Sequence, residues 1–424
     1  MSLEAGFGEV DITPPVGTRK IGWIKKIVSD EVLDPLYAHV AVLDSGEGRI
    51  AFIQLDTLSV RWTTTNVIRQ RIEERYGFPG GNIMVSATHN HAGPAVAGLG
   101  GYRDDEYVET MVGKIVDLFG EVLEKMEPAE LGIGRCVEFG LTRNRRVIMR
   151  GGTTKTHGAF SDPDALCFEG PIDPEFIVIA ARAKGDGELL GVLVNFACHP
   201  THHGGTGELS AGFPGSLAKE MKQRGVPVTL YLNGACGNIH FADARGLVET
   251  PNKEQLGAAL ADDADKALAE IEYRDDWTLG AAKATVQLPY REVTEDEIAG
   301  TVKGGQRFVD PTVYDRQMPA LVERIRTRGT QPAEVQTLFL GDYVLVSIPA
   351  EYFVQHGLRI KEEAHPTRAL VVSCANGMVG YVPHKEAFKR GGYETTFAMS
   401  SRLAPEAGDI LADLALELIN AHQT

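Results

Sequence analysis

Cysteine is scarce: there are five, at 136, 167, 198, 236 and 374, an odd number with no C-x-x-C pair. That excludes a disulfide framework and a structural zinc knuckle. Basic residues are in deficit too, with 42 Lys and Arg against 58 Asp and Glu and a formal charge of −16. A field of that sign repels phosphate backbones and anionic lipid surfaces, so neither nucleic acid nor strong membrane binding is expected. The basic clusters "KK" at 25–26 and "RNRR" at 143–146 are too short to make a binding stripe. No uninterrupted apolar run reaches the length of a membrane span, and no segment reads as an amphipathic helix with a basic face. There is no repeat, low-complexity tract or clear linker. The start, "MSLEAGFGEVDITPP", lacks the basic and apolar regions of a secretion signal. A cytoplasmic protein is therefore expected, although a secreted one whose signal had been removed would look the same.

What is present is the rhythm of an α/β protein, in which short β-rich runs alternate with longer helical patterns. "YAHVAVLD" (37–44) and "RIAFIQLD" (49–56) flank the turn "SGEG" and read as a hairpin. Helical periodicity follows over 63–77, a strand over 82–87, and a long amphipathic helix over 105–126 with Val108, Met111, Val112, Ile115, Leu118, Phe119, Val122 and Leu123 as its core stripe. Residues 143–176 have little periodicity, and long irregular segments of this kind tend to be functional or disordered. Further on, helices are expected over 253–271, 316–329 and 406–421, and a hairpin turns at Gly341-Asp342. The next helix is expected to begin near Pro349, which puts Glu351 in its first turn. The fold class expected is α/β, a mixed β-sheet core with helices packed on it and a metal site at strand ends, in a single unit spanning 1–424.

The chemistry concentrates where strands end. "NIMVSATHNHAGPA" (82–95) runs from an apolar strand into His89 and His91. By strand periodicity both project to the face of Ile83, Val85 and Ala87. "LLGVLVNFACHPTHHGG" (189–205) runs into His199, and "VTLYLNGACGNIHF" (228–241) ends in Cys236, Asn238 and His240. Apolar strands that each end in a polar, Gly-rich turn point to one shared site. Two imidazoles and the Glu351 carboxylate would suit a catalytic zinc, which takes three protein ligands and leaves a position for water. Bland alternatives stay open: a hydrogen-bonded histidine pair, a Glu351 that merely favours a helix dipole, or His202 or His203 in place of His199.

The string "SATHNHAGPA" resembles the "SATHTHSGP" element of the neutral/alkaline, non-lysosomal ceramidase family of zinc-dependent amidases. "RNRR", "NFACHPT", "IPAEYFV" and "ANGMVGYV" resemble further family elements, and the resemblance spans about residues 7 to 420. It implies Zn2+ as cofactor, with His89, His199, Glu351 and Tyr381 as ligands. It implies His91 as the proton-transferring base or acid and Arg145 as the residue beside the scissile carbonyl, with Arg146 as the adjacent alternative. Tyr393, twelve residues after Tyr381, matches the family's second catalytic tyrosine.

Two departures qualify what transfers. The family's "GDVSPN" is here "NGACGN", so Cys236 stands at the position of a serine, and no counterpart of the family's C-terminal immunoglobulin-like domain is expected. The expected function is zinc-dependent hydrolysis of an N-acyl amide by zinc-activated water, on a small soluble amide rather than long-chain ceramide. The alternatives are a metal-independent hydrolase built on Cys236 with His240 or His199, and a non-catalytic protein with a structural metal. Asp56, at another strand end, is expected either to orient a ligand histidine or Arg145 or to cap the next turn.

Overall fold

The computed structural model describes residues 3–97, 102–302 and 305–423. Its largest element is a mixed sheet of eight strands: β1 (Glu4–Asp11), β2 (Tyr37–Asp44), β3 (Arg49–Leu55), β4 (Ile83–Ala87), β5 (Glu127–Val137), β6 (Glu175–Ala183), β7 (Leu189–Phe196) and β8 (Thr229–Asn233). Their spatial order is β8-β7-β6-β5-β1-β2-β3-β4. Neighbours are antiparallel except for the outermost pairs, β3 with β4 and β7 with β8, which are parallel. A second sheet, β9 (Leu279–Pro289), β10 (Thr330–Leu340), β11 (Tyr343–Ile348) and β12 (Arg368–Ser373), runs in that order and again ends in a parallel pair, β11 with β12.

The strand sequences explain the layering. β2, β3 and β4 are near-continuous apolar runs because they are covered on both faces. On the inner face Leu43, Phe52, Ile179, Leu193 and Leu230 meet Leu338, Leu345 and Leu370 of the second sheet in one buried cluster. On the outer face α1 (Trp62–Tyr76) and α2 (Asp105–Glu124) cover one half of the large sheet, where Ile68, Ile115 and Phe119 pack on Val40, Ile53 and Val85. α2 starts where the Asp104 carboxylate accepts the Tyr107 N–H, a standard N-cap. α3 (Gly212–Gln223) and α4 (Lys253–Ala269) cover the other half. α5 (Pro311–Arg328) packs through Met318 and Leu321 on Phe397. α6 (Val354–Glu363) and α7 (Ala407–Gln423) cover the second sheet, giving four layers, helices outside and two sheets within. Among the described residues no helix is long and apolar enough to cross a membrane.

The large sheet curls until β8 lies against β3 and β4. Side-chain amides hold that closure, because no backbone ladder joins these strands. Gln54 accepts the Tyr231 N–H at 3.3 Å, and Asn233 donates to the Thr88 carbonyl at 3.0 Å. Asn195 donates to both Leu232 O (2.8 Å) and Val371 O (3.0 Å), which ties the two sheets together. The C-terminal ends of all three parallel pairs therefore meet in one place.

Two expectations need correction. Glu351 does not sit in a helix: Glu351–Tyr352 is a short strand paired in parallel with Tyr381–Val382, and α6 starts only at Val354. The cause is the bond from the Glu351 N–H to the Gly380 carbonyl at 3.0 Å, which holds the backbone extended. Nor is 143–176 wholly irregular, since Arg146–Met149, Thr154–Thr156 and Ala165–Phe168 form a three-stranded sheet.

Because the Asn195 amide satisfies two carbonyls in a dry interior, Asn195→Ala should lower unfolding stability by about 1–3 kcal/mol in urea titrations. A loss within the noise of a surface substitution would mean that the apolar contact alone joins the sheets.

Candidate functional site

His89 and His91 lie past the end of β4, His199 past β7, Glu351 past β11, and Tyr381 after β12. The chain arrives at His89 in an unusual conformation, φ 68°, the left-handed region that a β-substituted residue enters at a cost. Strand alternation therefore stops before the histidines, and their meeting owes nothing to a shared strand face. The meeting is nevertheless close. The Nε2 atoms of His89 and His199 are 3.2 Å apart, His91 Nε2 is 3.3 and 3.1 Å from them, and Glu351 Oε2 is 3.3 Å from His89 Nε2. All four residues are buried.

Backbone carbonyls set the tautomers. His89 Nδ1 donates to Leu58 O at 2.8 Å and His199 Nδ1 to Cys236 O at 3.2 Å. With both protons on Nδ1, the two Nε2 lone pairs face each other, an arrangement that repels unless a cation lies between them. Nitrogen ligands of one tetrahedral zinc, each about 2.0–2.1 Å from it, stand about 3.3 Å apart, so the spacing fits one small cation. The buried His89, His91 and His199 group can hold a metal ion. His91 differs from the other two: its Nδ1 lies beside the Gly22 backbone but makes no hydrogen bond of normal geometry. Burial, reinforced by the charge of His89, holds His91 well below the usual imidazole pKa. His199 is likewise held down by burial, then by Arg145. Burial also pulls on His89, but Glu351 outweighs it and raises the pKa.

Arg145 stands next to this group. It donates to Tyr381 Oη at 3.1 Å and to Gly237 O at 2.7 Å, and its Nε donates to Glu394 Oε1 at 2.9 Å. Burial and Glu351 lift the Tyr381 phenol well above its usual pKa, against the pull of Arg145. Gly237 has to be glycine, because a Cβ there would stand 2.5 Å from the Glu351 carbonyl oxygen. Outside the histidines opens a cavity of about 590 Å³ lined by the apolar Trp23, Ile24 and Val309 and by the polar Arg145, His157 and Thr201; Tyr381 and Tyr393 also border it. The Gly22–Ile24 segment is held over the site by Lys20, whose buried ammonium donates to the His203 and Thr206 carbonyls at 2.8 Å and to Glu208 O. Ala242 N–H donates to His240 Nδ1, so the neutral ring donates from Nε2 to Thr201 Oγ1 at 2.7 Å. The Thr201 hydroxyl hydrogen is then free to turn toward the cavity.

No protein-family model matches the chain, and no curated protein matches it either. Solved structures do. All of the chain (100%) superposes on 75% of the neutral ceramidase of Pseudomonas aeruginosa, with a TM-score of 0.78 at 18% identity. It covers 75% of a second structure, a ceramidase complexed with C2, with a TM-score of 0.77 at 17% identity. The chain has a neutral ceramidase-like fold. At such identity the likeness is one of backbone.

Within that ceramidase-like frame, His89, His91, His199, Glu351, Tyr381, Arg145 and Tyr393 are brought to one site. Several alternatives are not. His202 stacks on Phe241 at 4.1 Å and bonds Pro251 O, and His203 serves Lys20 through its carbonyl. Arg146 is fully buried away from the histidines, pairing with Glu169 and Glu394. Asp56 touches neither a ligand-type histidine nor Arg145: it accepts the Tyr37 N–H at 2.9 Å and the Gln54 amide at 3.0 Å, and burial lifts its pKa to about 6. The Cys236 thiol is buried and hydrogen-bonded with Cys374, which lowers its pKa against the effect of burial. No hydrogen bond joins that thiol to His199 or His240 among the described residues. Sequence reasoning missed Glu394, Asn233 and Cys374, because each gains its meaning only from a partner far away in the chain.

Glu394 is fully buried and accepts from Arg145, from Arg146 at 2.6 Å and from Thr156 Oγ1 at 2.7 Å. Burial would raise its pKa, but the two guanidiniums win and lower it from 4.5 to about 2. A depressed carboxylate stabilises the fold above its unfolded pKa and loses that contribution as pH falls through the folded value. The lowering corresponds to about 3 kcal/mol. Glu394→Gln should therefore be less stable than wild type at neutral pH, with the gap closing between about pH 5 and pH 2 in denaturant titrations. A gap independent of pH over that range would show that the charge on Glu394 is not what pairs with the arginines.

Proposed function

We propose that this protein is a zinc-dependent amidohydrolase that cleaves an N-acyl amide into a carboxylate and an amine. The observation that carries the reading is the pair of Nε2 lone pairs facing each other at 3.2 Å with Glu351 beside them, next to a buried arginine at the floor of an open cavity. The donor set, imidazoles with one carboxylate and a phenol, suits zinc, and His89, His199, Glu351 and Tyr381 would hold it. When bound, zinc supplies a Lewis acid that polarises the amide carbonyl and makes water more acidic. The fold likeness to ceramidases supports the same reading, and the cavity accommodates a small soluble amide.

The chain's own residues then divide the work. His91 is neutral and unfixed at Nδ1, so its Nε2 takes a proton from the attacking water as the oxygen bonds to the carbonyl carbon. The same proton passes to the leaving nitrogen as the C–N bond breaks. Arg145 orients the carbonyl, and the Tyr393 hydroxyl donates to its oxygen as negative charge grows there. Glu394 keeps the Arg145 guanidinium in position. A second reading has His91 as a third imidazole ligand, supported by its Nε2 lying as close to the other two as they lie to each other.

Elemental analysis and turnover separate these readings. His89→Ala and His199→Ala should lose zinc; His91→Ala should keep it while kcat falls roughly 100- to 10,000-fold. Zinc loss in His91→Ala would favour the three-imidazole site. Tyr393→Phe should retain metal and lose roughly ten- to a thousandfold in kcat. Cys236→Ser should keep both zinc and turnover, and its inactivation with zinc retained would point to a thiol nucleophile. A panel of N-acyl amides should show higher kcat/KM on short soluble members than on long-chain ceramide in micelles; equal values would overturn the substrate assignment.

A further inference from the structure

Beside Gly380 lies a separate cavity of about 320 Å³ lined by Arg61, Arg324 and Arg402 together with Trp62, Gln331 and Met399. In this protein buried or half-buried guanidiniums usually meet carboxylates: Arg69 meets Glu334, Arg145 meets Glu394, and Arg146 meets Glu169. Here they do not. Arg402 is 93% buried, being 7% exposed, and its bonds go to neutral acceptors, Gln331 Oε1 at 3.0 Å and the Met399 carbonyl. Arg61 donates to the Ala97 carbonyl at 2.7 Å. Among the described residues no carboxylate forms an ion pair with Arg61, Arg324 or Arg402.

The electrostatics agree with the geometry. Burial lowers the Arg402 pKa to about 10; Tyr290 pulls it back up and the like charge of Arg324 pushes it down. Arg61 is lowered by burial, by Arg103 and by Arg324, with Asp105 opposing. Three cations around one cavity repel each other, and a buried guanidinium without a counterion is costly. In a chain of net charge −16, carboxylates are plentiful, yet none lines this cavity, and Asp105, whose charge reaches Arg61, pairs with Arg103.

We propose that this cavity is an oxyanion-binding site that takes the carboxylate, sulfate or phosphate group of a small ligand. Guanidinium forks match the paired oxygens of such groups, and three forks around one cavity select an oxyanion over chloride. Met399 also lines the small cavity that reaches His89, His91, Glu351 and Tyr381, and Gly380, next to Tyr381, lines the arginine cavity. Occupancy of the oxyanion site is therefore adjacent to the proposed metal centre, although the site itself stands whether or not the protein hydrolyses amides.

Isothermal titration of the purified protein with sodium phosphate and with sodium sulfate, at constant ionic strength set with chloride, tests this. Wild type should bind one phosphate saturably, and Arg324→Gln and the double variant Arg61→Gln with Arg324→Gln should weaken binding at least tenfold while unfolding cooperatively. These two positions are chosen because the deeply buried Arg402 is itself a folding risk. Arg224→Gln, which removes two surface ion pairs elsewhere, should bind phosphate like wild type. Parallel titrations with an N-acyl amino acid and with its uncharged amide identify the source of the anion. A carboxylate-dependent affinity that falls in Arg324→Gln assigns the site to the substrate, and loss of phosphate affinity alone assigns it to an effector. Absence of saturable phosphate or sulfate binding to wild type, or equal affinity in wild type and the double variant, would overturn the proposal.

Discussion

The side chain of Asn233 holds the two halves of the site together. Its amide donates to the carbonyl of Thr88, and its oxygen accepts the N–H of Cys198 at 3.2 Å, so one buried residue grips the position before His89 and the position before His199. These segments follow β4, at one edge of the eight-stranded sheet, and β7, next to the other edge, and no strand pairing runs between them. A side-chain amide is the right group for the task, because it offers a donor and an acceptor in fixed geometry and leaves neither backbone group unpaired in a dry interior. The bond from the His91 N–H to the Pro200 carbonyl at 3.2 Å joins the same two segments directly.

The site is also balanced in charge. Arg145 brings a cation to within hydrogen-bond reach of Tyr381, and the cost of burying that charge is met by Glu394, which serves Arg146 as well. The carboxylate on the other side, Glu351, is held by backbone pairing rather than by an arginine. Glu394 and Glu169 therefore neutralise the two guanidiniums, and Glu351 is left facing the imidazoles, which is the condition for a cation to be attracted there. Backbone strain gathers at the same place, with left-handed conformations at His89, Cys374 and Asn376.

The arginine cavity inverts that logic a short way along the chain. Met399 borders both a region rich in lone pairs and a region rich in guanidiniums. A ligand with a polar neutral group and an anionic group would meet complementary charge in both. At 18% identity to a ceramidase of known structure, the backbone has been kept while such surroundings are free to differ, since they hang on loops beyond the strand ends.

Read alone, the sequence determined the α/β class, most of the strands and helices, the buried stripe of α2, and the ligand-type residues waiting at strand ends. Those features follow from periodicity and residue type within a few turns of chain, so they need no partner to be legible. The facing sheets, the strand at Glu351, the structural duty of Asp56, and the roles of Glu394 and Asn233 were decided by tertiary structure. His89 and His199 lie 110 residues apart, and Arg145 and Glu394 lie 249 apart. Over such separations no local propensity acts. Only the packing of two sheets and the curl of the larger one bring those atoms within hydrogen-bond range.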